Sequence, residues 1–269
     1  AQNMREIAGE LNLGLDSFVF MDDHPAERLL VRQELPEVLT VEMPEDYAEF
    51  TQTLLDLDAF EVLSLTDEDR NRKNLYQAET QRKALKSEVT DLKKYLQSLD
   101  IAVEVRPADS FAIPRIAQLT QRTNQFNLTT RRYKEVDIKN FAQSPRHRVF
   151  YLKSSDRFGD HGIVGTCIIC SKENRWEIDT FLLSCRVAGR GIEQAFLHQV
   201  CVEAKANRAR KLLGRYVPTQ KNRMAENFYP RENFEAVSQT QDAADFELNL
   251  EREITPLPQH IRLVTNHGS

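Results

Sequence analysis

The chain predicts a mixed α/β fold in three parts: a partial parallel α/β region over residues 1–65, a long linking helix over 66–100, and an α+β domain over 101–250, with a tail over 251–269. Three observations carry this. Short apolar runs alternate with helix-period segments at the start of the chain. A charged stretch without Gly or Pro follows, and then a series of strand-like runs leads into a glycine-bearing turn and an apolar helix. Hydrophobic residues make up 41% and charged residues 29% of the 269 positions, which provides a core and is unlike a disordered chain.

Charge and cysteine content narrow the function classes. Thirty-six Lys and Arg against 41 Asp and Glu leave a net charge of -5, so nucleic acid is not expected as a bulk partner. No apolar run approaches the roughly 20 residues of a membrane span, so no membrane partner is expected. Cys167 and Cys170 form a C-x-x-C, but within an apolar run, Val164 to Cys170, that reads as a strand. Strand alternation points the two thiols to opposite faces, which suits neither a metal knuckle nor a redox turn. With Cys185 and Cys201 they suggest a reducing, cytoplasmic setting.

The first part reads helix, strand, turn, helix, strand. Ala1 to Leu13 place Met4, Ile7, Ala8 and Leu11 at helical spacing, as if a helix were already in progress, so a fragment beginning inside a domain is expected. Ser17 to Met21 then form a short buried strand running into Asp22, Asp23, His24 and Pro25. Ala26 to Leu35 read as a helix, Val38 to Val41 as a strand and Asp46 to Leu57 as a helix. Ligands gather at the carboxyl ends of parallel strands, and two adjacent carboxylates repel unless a cation sits between them. Asp22 and Asp23 are therefore candidate ligands for a hard ion such as Mg2+. The plainer alternative is a capped helix, with Asp23 at the N-cap and Pro25 in the first turn.

The second part, from Thr66 to Leu99, leaves a thin apolar stripe of Leu75, Leu85, Val89, Leu92 and Leu96. Acids open it at Thr66-Asp67-Glu68-Asp69, where a helix N-terminus favours them. A largely solvated helix between two domains is expected.

The third part reads as a strand (Ala102 to Arg106), helices (Ile113 to Thr123, Val136 to Phe141) and three strands (Arg148 to Lys153, Ile163 to Cys170, Arg175 to Leu183). A helix (Ile192 to Ala206), a strand (Lys211 to Tyr216) and a last helix (Arg223 to Tyr229) come next. A strand pair near Phe234 and Phe246 to Leu250 closes the domain, and the tail after Pro256 is expected to fray.

Between the strand ending at Leu183 and the helix starting at Ile192 lies Arg186-Val187-Ala188-Gly189-Arg190-Gly191. Glycines at 189 and 191 let the backbone turn tightly, and a helix N-terminus adds partial positive charge, so outward amides form a nest for phosphate. The spacing Arg-x-x-Gly-x-Gly resembles the acyl-CoA signature of the GNAT acyltransferases. A second stretch, Asn222-Arg223-Met224-Ala225-Glu226-Asn227-Phe228-Tyr229 followed by Phe234, is similar to a late segment of that family, with Asn233 where the family has Gly. The resemblance implies a donor held by residues 186–191 and by Asn222. It also implies Tyr229 as the acid that protonates a departing thiolate.

Phe18-Val19-Phe20-Met21-Asp22-Asp23-His24-Pro25-Ala26-Glu27-Arg28 resembles the last acidic motif of haloacid dehalogenase (HAD) phosphatases, in the form seen in FkbH-like proteins. The resemblance continues through Arg122 to Tyr133, Gly159 to Gly165 and Trp176 to Arg186. It implies a HAD-like end, a helical link and a GNAT-like domain. It also implies a short, possibly glyceryl, thioester, an acyl carrier protein as partner, and Mg2+ in the complete HAD domain. In that family the setting is polyketide biosynthesis. No D-x-D-x-T nucleophile motif occurs in residues 1–21, so phosphatase chemistry is not expected of this fragment.

Further candidates come from position. Glu177 and Asp179 share a strand face and are candidate general bases, with solvated carboxylates as the alternative. Cys185 sits one residue before the nest, where a thiolate is favoured, and His161 at the mouth of the neighbouring strand is its candidate activator; a small buried cysteine is the plainer reading. Arg131 and Arg132 border the expected acceptor site, where a phosphate or carboxylate would pair with them. The same chain also admits a non-catalytic carrier-docking module or an ordinary N-acetyltransferase.

Overall fold

Apolar stripes and alternating strands settle into two units, Ala1–Thr80 and Gln81–Ser269, in the computed structural model. It describes residues 1–11, 13–60, 72–89, 91–252 and 254–264. The first unit contains α1 (Gln2–Leu11), β1 (Val19–Phe20), α2 (Pro25–Glu34), β2 (Leu39–Thr40) and α3 (Phe50–Leu55). β1 and β2 pair in parallel, Val19 with Leu39 and Phe20 with Thr40. Val31, Leu35 and Val38 form the buried centre, with Met4, Leu15, Phe18 and Phe20 packed on it. The strand read from Ser17 is shorter because Leu15–Ser17 form a 3-10 turn. Asp46 accepts the amide of Ala48 and starts another such turn ahead of α3. Two parallel strands with their helices are generic α/β architecture and identify no family.

The stretch read as one linking helix contains two. α4 (Arg72–Glu88) ends before α5 (Leu92–Ser98), whose N-cap Asp91 accepts the amide of Lys93 at 2.8 Å. Residues 66–69, read as the acidic opening of that helix, lie outside the described residues. Leu85, Val89, Tyr95, Leu96 and Leu99 pack into the core of the second unit, so this half of the stretch is part of a core and not a solvated link.

The second unit is built on a nine-stranded sheet. In chain order it holds β3 (Ile101–Pro107), α6 (Ile113–Arg122), β4 (Phe126–Asn127), α7 (Glu135–Gln143), β5 (His147–Asp156), β6 (Gly159–Lys172) and β7 (Arg175–Leu183). α8 (Ile192–Ala206), β8 (Lys211–Tyr216), α9 (Phe228–Arg231), β9 (Glu235–Gln239), β10 (Ala244–Asn249) and β11 (Ile261–Leu263) complete it. The strands lie in the order β11-β3-β5-β6-β7-β8-β10-β9, with β4 paired to β7. β5 shows how alternation builds two layers. Phe150 and Leu152 face the cluster that includes Phe196 and Val200 of α8, whereas Val149 and Tyr151 face Ile116 of α6 and Ile138 of α7.

The tail departs from its expected fraying. β11 pairs in parallel with β3, Ile261 with Ile101 through Leu263 with Val103. The segment read as a helix from Arg223 to Tyr229 divides into a 3-10 turn, Arg223–Ala225, and the short α9. Asn233 follows with φ of 64°, a left-handed conformation that glycine takes freely and asparagine tolerates better than other side chains. That accounts for Asn at a position where the resembling family carries Gly.

Candidate active site

β7 and β8 run in parallel but pair only at Arg175–Lys211, Trp176–Leu212 and Glu177–Leu213. Beyond that point a different segment stands between them. Phe126 and Asn127 of β4 pair antiparallel with Leu183 and Leu182. Leu128 donates its amide to the Phe181 carbonyl at 3.1 Å, and its own carbonyl accepts the Val217 amide at 2.8 Å. One strand thus bridges the two, which sets them apart by about two strand spacings, ~9.5 Å. Phe126, Phe181 and Phe228 fill the space beneath, with Phe228 centred 5.3 Å from Phe126 and 5.2 Å from Phe181.

Asn222, expected to touch a donor, is fully buried and locks this bridge. Its Nδ2 donates to the carbonyls of Asn127 and Val217, each at 2.9 Å. Its Oδ1 accepts from the Thr219 amide at 2.7 Å and from the Tyr216 hydroxyl at 3.2 Å. The side chain is saturated by the protein itself.

At the end of β7 the predicted turn forms as read. Gly189 and Gly191 have φ of 80° and 81°, and Gly191 is the N-cap of α8. The amides, however, face inward partners. Val187 is buried, and its amide and that of Ala188 donate to the Ser184 carbonyl at 3.1 and 3.3 Å. The Gly189 amide donates to the Glu193 carboxylate, at 3.2 and 3.3 Å to its two oxygens. Burial pushes the Glu193 carboxyl pKa up, against the pull of the amides of Glu193, Gly189 and Gly191, while the charge of Glu232 adds to the rise. His260 of the tail closes another side: its ring nitrogen is 2.8 Å from the Arg190 carbonyl, and a side chain at Gly191 would meet that ring at 3.1 Å.

His161 belongs to a buried charged cluster. Arg82 of α4 makes a two-pronged contact with Asp156, at 2.5 and 2.9 Å. His161 Nε2 is 3.3 Å from both Asp156 Oδ2 and Arg82 Nη2, and Arg190 Nη1 is 4.0 Å from the same carboxylate. Burial alone would raise the Asp156 pKa, but hydrogen bonds from His161 and Arg82 hold it well below the usual carboxylate range. Burial, together with the positive charges of Arg82 and Arg190, lowers the His161 pKa, with Asp156 opposing. His161 Nε2 is engaged in this cluster, while Cys185 is half-buried past the end of β7.

Glu177 and Asp179 stand in separate polar groups. Glu177 pairs with Arg175 at 2.6 Å and Lys172 at 3.0 Å. Asp179 is the extra residue of a β-bulge, since Ile168 pairs with Thr180 and Ile169 with Ile178. Its carboxylate accepts from the Tyr133 hydroxyl at 2.7 Å, from Thr180 at 3.0 Å and from Arg131. Arg132 is bound to the carbonyls of Thr120 and Thr123 at the end of α6, and to Asn124. This Arg132 also borders an open groove of about 310 Å³ with Asn124, Thr130, Thr219, Gln220 and Lys221. Arg132 and Lys221 are the cations of its lining, and the other lining side chains are polar.

Tyr229 lies inside the core, 1% exposed, against Phe234 and Phe246. Burial pushes its hydroxyl pKa far up. In the first unit, Asp22 Oδ1 accepts the His24 amide at 2.8 Å, and Arg28 donates to the carbonyls of Asp22 and Asp23 at 2.7 and 3.0 Å. The N-cap of α2 is His24, without a side-chain cap, so Asp23 does not occupy that position. Among the described residues no group of three or more His, Cys, Asp or Glu gathers to hold a metal ion.

The comparisons with known proteins are structural. No protein-family model and no curated protein matches the chain. Among solved structures it is similar to the ribosomal-protein-S18-alanine N-acetyltransferase from Escherichia coli, at 14% identity and a TM-score of 0.44, over 55% of this chain and 94% of that one. A putative acetyltransferase of the GNAT family from Desulfovibrio desulfuricans is similar at 13% identity and a TM-score of 0.45, over 55% and 99%. N-acetylglutamate synthase from Neisseria gonorrhoeae, complexed with coenzyme A and N-acetyl-glutamate, is similar at 18% identity and a TM-score of 0.42, over 56% and 35%. Among the described residues no helix is long and apolar enough to cross a membrane.

Sequence reasoning passed over Glu193, Leu128 and the Arg82–Asp156 pair. Glu193 carried a signal: an acid in the first turn of a helix, next to a glycine nest, is placed to cap its amides. Leu128, in a polar stretch without strand alternation, carried none.

Proposed function

We propose that residues 101–250 are a GNAT-type acyltransferase domain that handles a short acyl thioester, borne by CoA or by the phosphopantetheine arm of an acyl carrier protein. In this reading residues 1–65 are the end of a HAD-like region, 66–100 join the two, and the chain is FkbH-like. The observation that supports it is the parallel pair β7–β8, joined at only three positions and opening towards the loop Arg186–Gly191 at the start of α8. An extended thioester arm would have to take over the strand-like pairing with the edge of β7 that Phe126–Leu128 hold in this structure.

Cys185 is the proposed acyl carrier residue. Cys185 gives up its proton to solvent, its thiolate attacks the acyl carbonyl, a new C–S bond forms, and the donor's C–S bond breaks to release the donor thiolate, which takes a proton from solvent. Arg132 borders the proposed acceptor entrance, with Arg131 next to it in the chain and bound to Asp179. Intact-protein mass spectrometry after incubation with an acylated carrier tests this: an acyl adduct on the wild type that is lost in Cys185→Ala is expected. An adduct that persists in the variant removes Cys185 from the reading.

A second reading, a carrier-docking module without catalysis, is favoured by the saturation of Asn222 and the bridge of Phe126–Leu128 across the opening. Binding of a holo-carrier without any acyl transfer is its expected signature.

A further inference from the structure

The nest at the start of α8 already holds an anion, and that anion is part of the chain. The Glu193 carboxylate lies within 3.2 and 3.3 Å of the Gly189 amide. The neighbouring amides of Val187 and Ala188 are bound to the Ser184 carbonyl. The loop's Arg190 reaches the buried Asp156, 4.0 Å away, on the side of the Arg82–His161 cluster. Gln194, the next residue of the helix, donates to Glu232 at 2.8 Å, a second carboxylate whose charge acts on Glu193. The amides of Val187, Ala188 and Gly189 are thus each matched by an internal partner, and the one at Gly189 is an acid.

We infer that Glu193 is a specificity-determining residue, a built-in anion that fills the nest and bars donors carrying a nucleotide pyrophosphate. This rests on reading the loop as a donor-binding nest. It deepens that reading by naming the class of donor the site rejects. A pyrophosphate entering the nest must displace the carboxylate and then sit one helical turn or less from its charge. Like-charge contacts of this kind weaken binding strongly. A donor whose thioester arm carries no pyrophosphate at this position meets no such barrier.

The test uses the full chain with inorganic pyrophosphate as probe, which needs the nest but not the strand opening, and CoA as a second ligand. Isothermal titration on the wild type is expected to show no saturable binding of either at millimolar concentration. Glu193→Ala is expected to bind pyrophosphate at least about tenfold more tightly, the change that removal of one like charge produces. Circular dichroism and a thermal melt confirm that the variant folds. Where Glu193→Ala does not fold, Glu193→Gln keeps the shape and removes the charge, and a smaller gain in the same direction is expected. Wild-type binding of pyrophosphate as tight as in the variants overturns the inference, as does a folded variant that gains nothing. Acyl transfer from a carrier is measured separately. A gain of pyrophosphate binding without any acyl transfer sinks the proposed function and leaves this inference standing; transfer without the gain does the reverse.

Discussion

Asn222 donates its side-chain amide to the backbone carbonyl of Asn127, 2.9 Å away, and both residues are fully buried. The bond ties the loop after β8 to the segment that bridges β7 and β8. In a donor-binding role, loss of this side chain would lower affinity and leave stability nearly intact. The hydrogen bonds predict the opposite. Asn222→Ala leaves the buried carbonyl of Asn127 and the half-buried carbonyl of Val217 without their donor, at about 1–3 kcal/mol for the first and less for the second. A loss of roughly 2–5 kcal/mol in urea denaturation is expected on that basis. Asn222→Asp, which keeps the acceptor for Thr219 and removes both donors, is expected to be nearly as damaging. An unchanged midpoint in either variant contradicts the structural role.

His161 makes stability depend on pH in a defined direction. Its folded pKa is lowered, chiefly by burial and further by Arg82 and Arg190, although Asp156 opposes. Below the ordinary histidine value of about 6.5 the unfolded chain binds a proton that the folded chain refuses. Stability should therefore be fully present above that value and fall as pH drops towards the folded pKa, with a slope of at most about 1.4 kcal/mol per pH unit for this one group. Asp156, whose folded pKa is depressed, adds its own loss only in more acid solution, below about pH 4. Chemical denaturation across this range should show a shallower profile for His161→Asn than for the wild type. Parallel profiles would mean that His161 does not refuse the proton.

Much of the second unit was legible because its elements are long and strongly patterned. β7, α8 and β8 fall at Arg175–Leu183, Ile192–Ala206 and Lys211–Tyr216, the bounds read from periodicity and from the glycine turn. β4 and β11 were not legible. They have two and three residues, and tertiary pairing with β7 and β3 holds them rather than any local preference. The site divides in the same way. The turn at Gly189 and Gly191 follows from backbone permissiveness, which sequence displays. What its amides bind depends on Glu193, and what Asp179 offers depends on Arg131 and Tyr133, partners brought from 48 and 46 residues away.

Gly214 and Tyr229 predict a steric requirement in β8. A Cβ at Gly214 would lie 2.7 Å from the Tyr229 hydroxyl oxygen and closer still to its ring carbons. Tyr229 is 1% exposed and packed against Phe234 and Phe246, so its ring has no room to withdraw. Gly214→Ala should lower stability by about 1–3 kcal/mol or more, the cost of overpacking a dense core. Adding Tyr229→Leu should recover part of the loss, whereas Tyr229→Phe should not, because the ring remains. A thermal-melt double-mutant cycle reads the coupling directly, and strict additivity would contradict the contact.

Thiol reactivity separates the four cysteines, and with them the proposed role of Cys185. Burial pushes the Cys201 thiol up to about 12, with the Glu232 charge adding to the rise. Burial raises Cys167 far above the ordinary range as well. Both should resist alkylation at pH 8 in the folded protein, since the thiolate is the reactive form. Cys170 and Cys185 are half-buried. Timed iodoacetamide labelling followed by peptide mapping should mark these two first, with Cys167 and Cys201 labelled only after denaturation. Prior incubation with an acyl donor should protect Cys185 alone, because an acylated sulfur has no thiolate to offer. Cys170, at the β6 position paired with Glu177, should label at an unchanged rate and serves as the internal control. Equal protection of both would point to a general loss of access, and no protection of either would remove the covalent step.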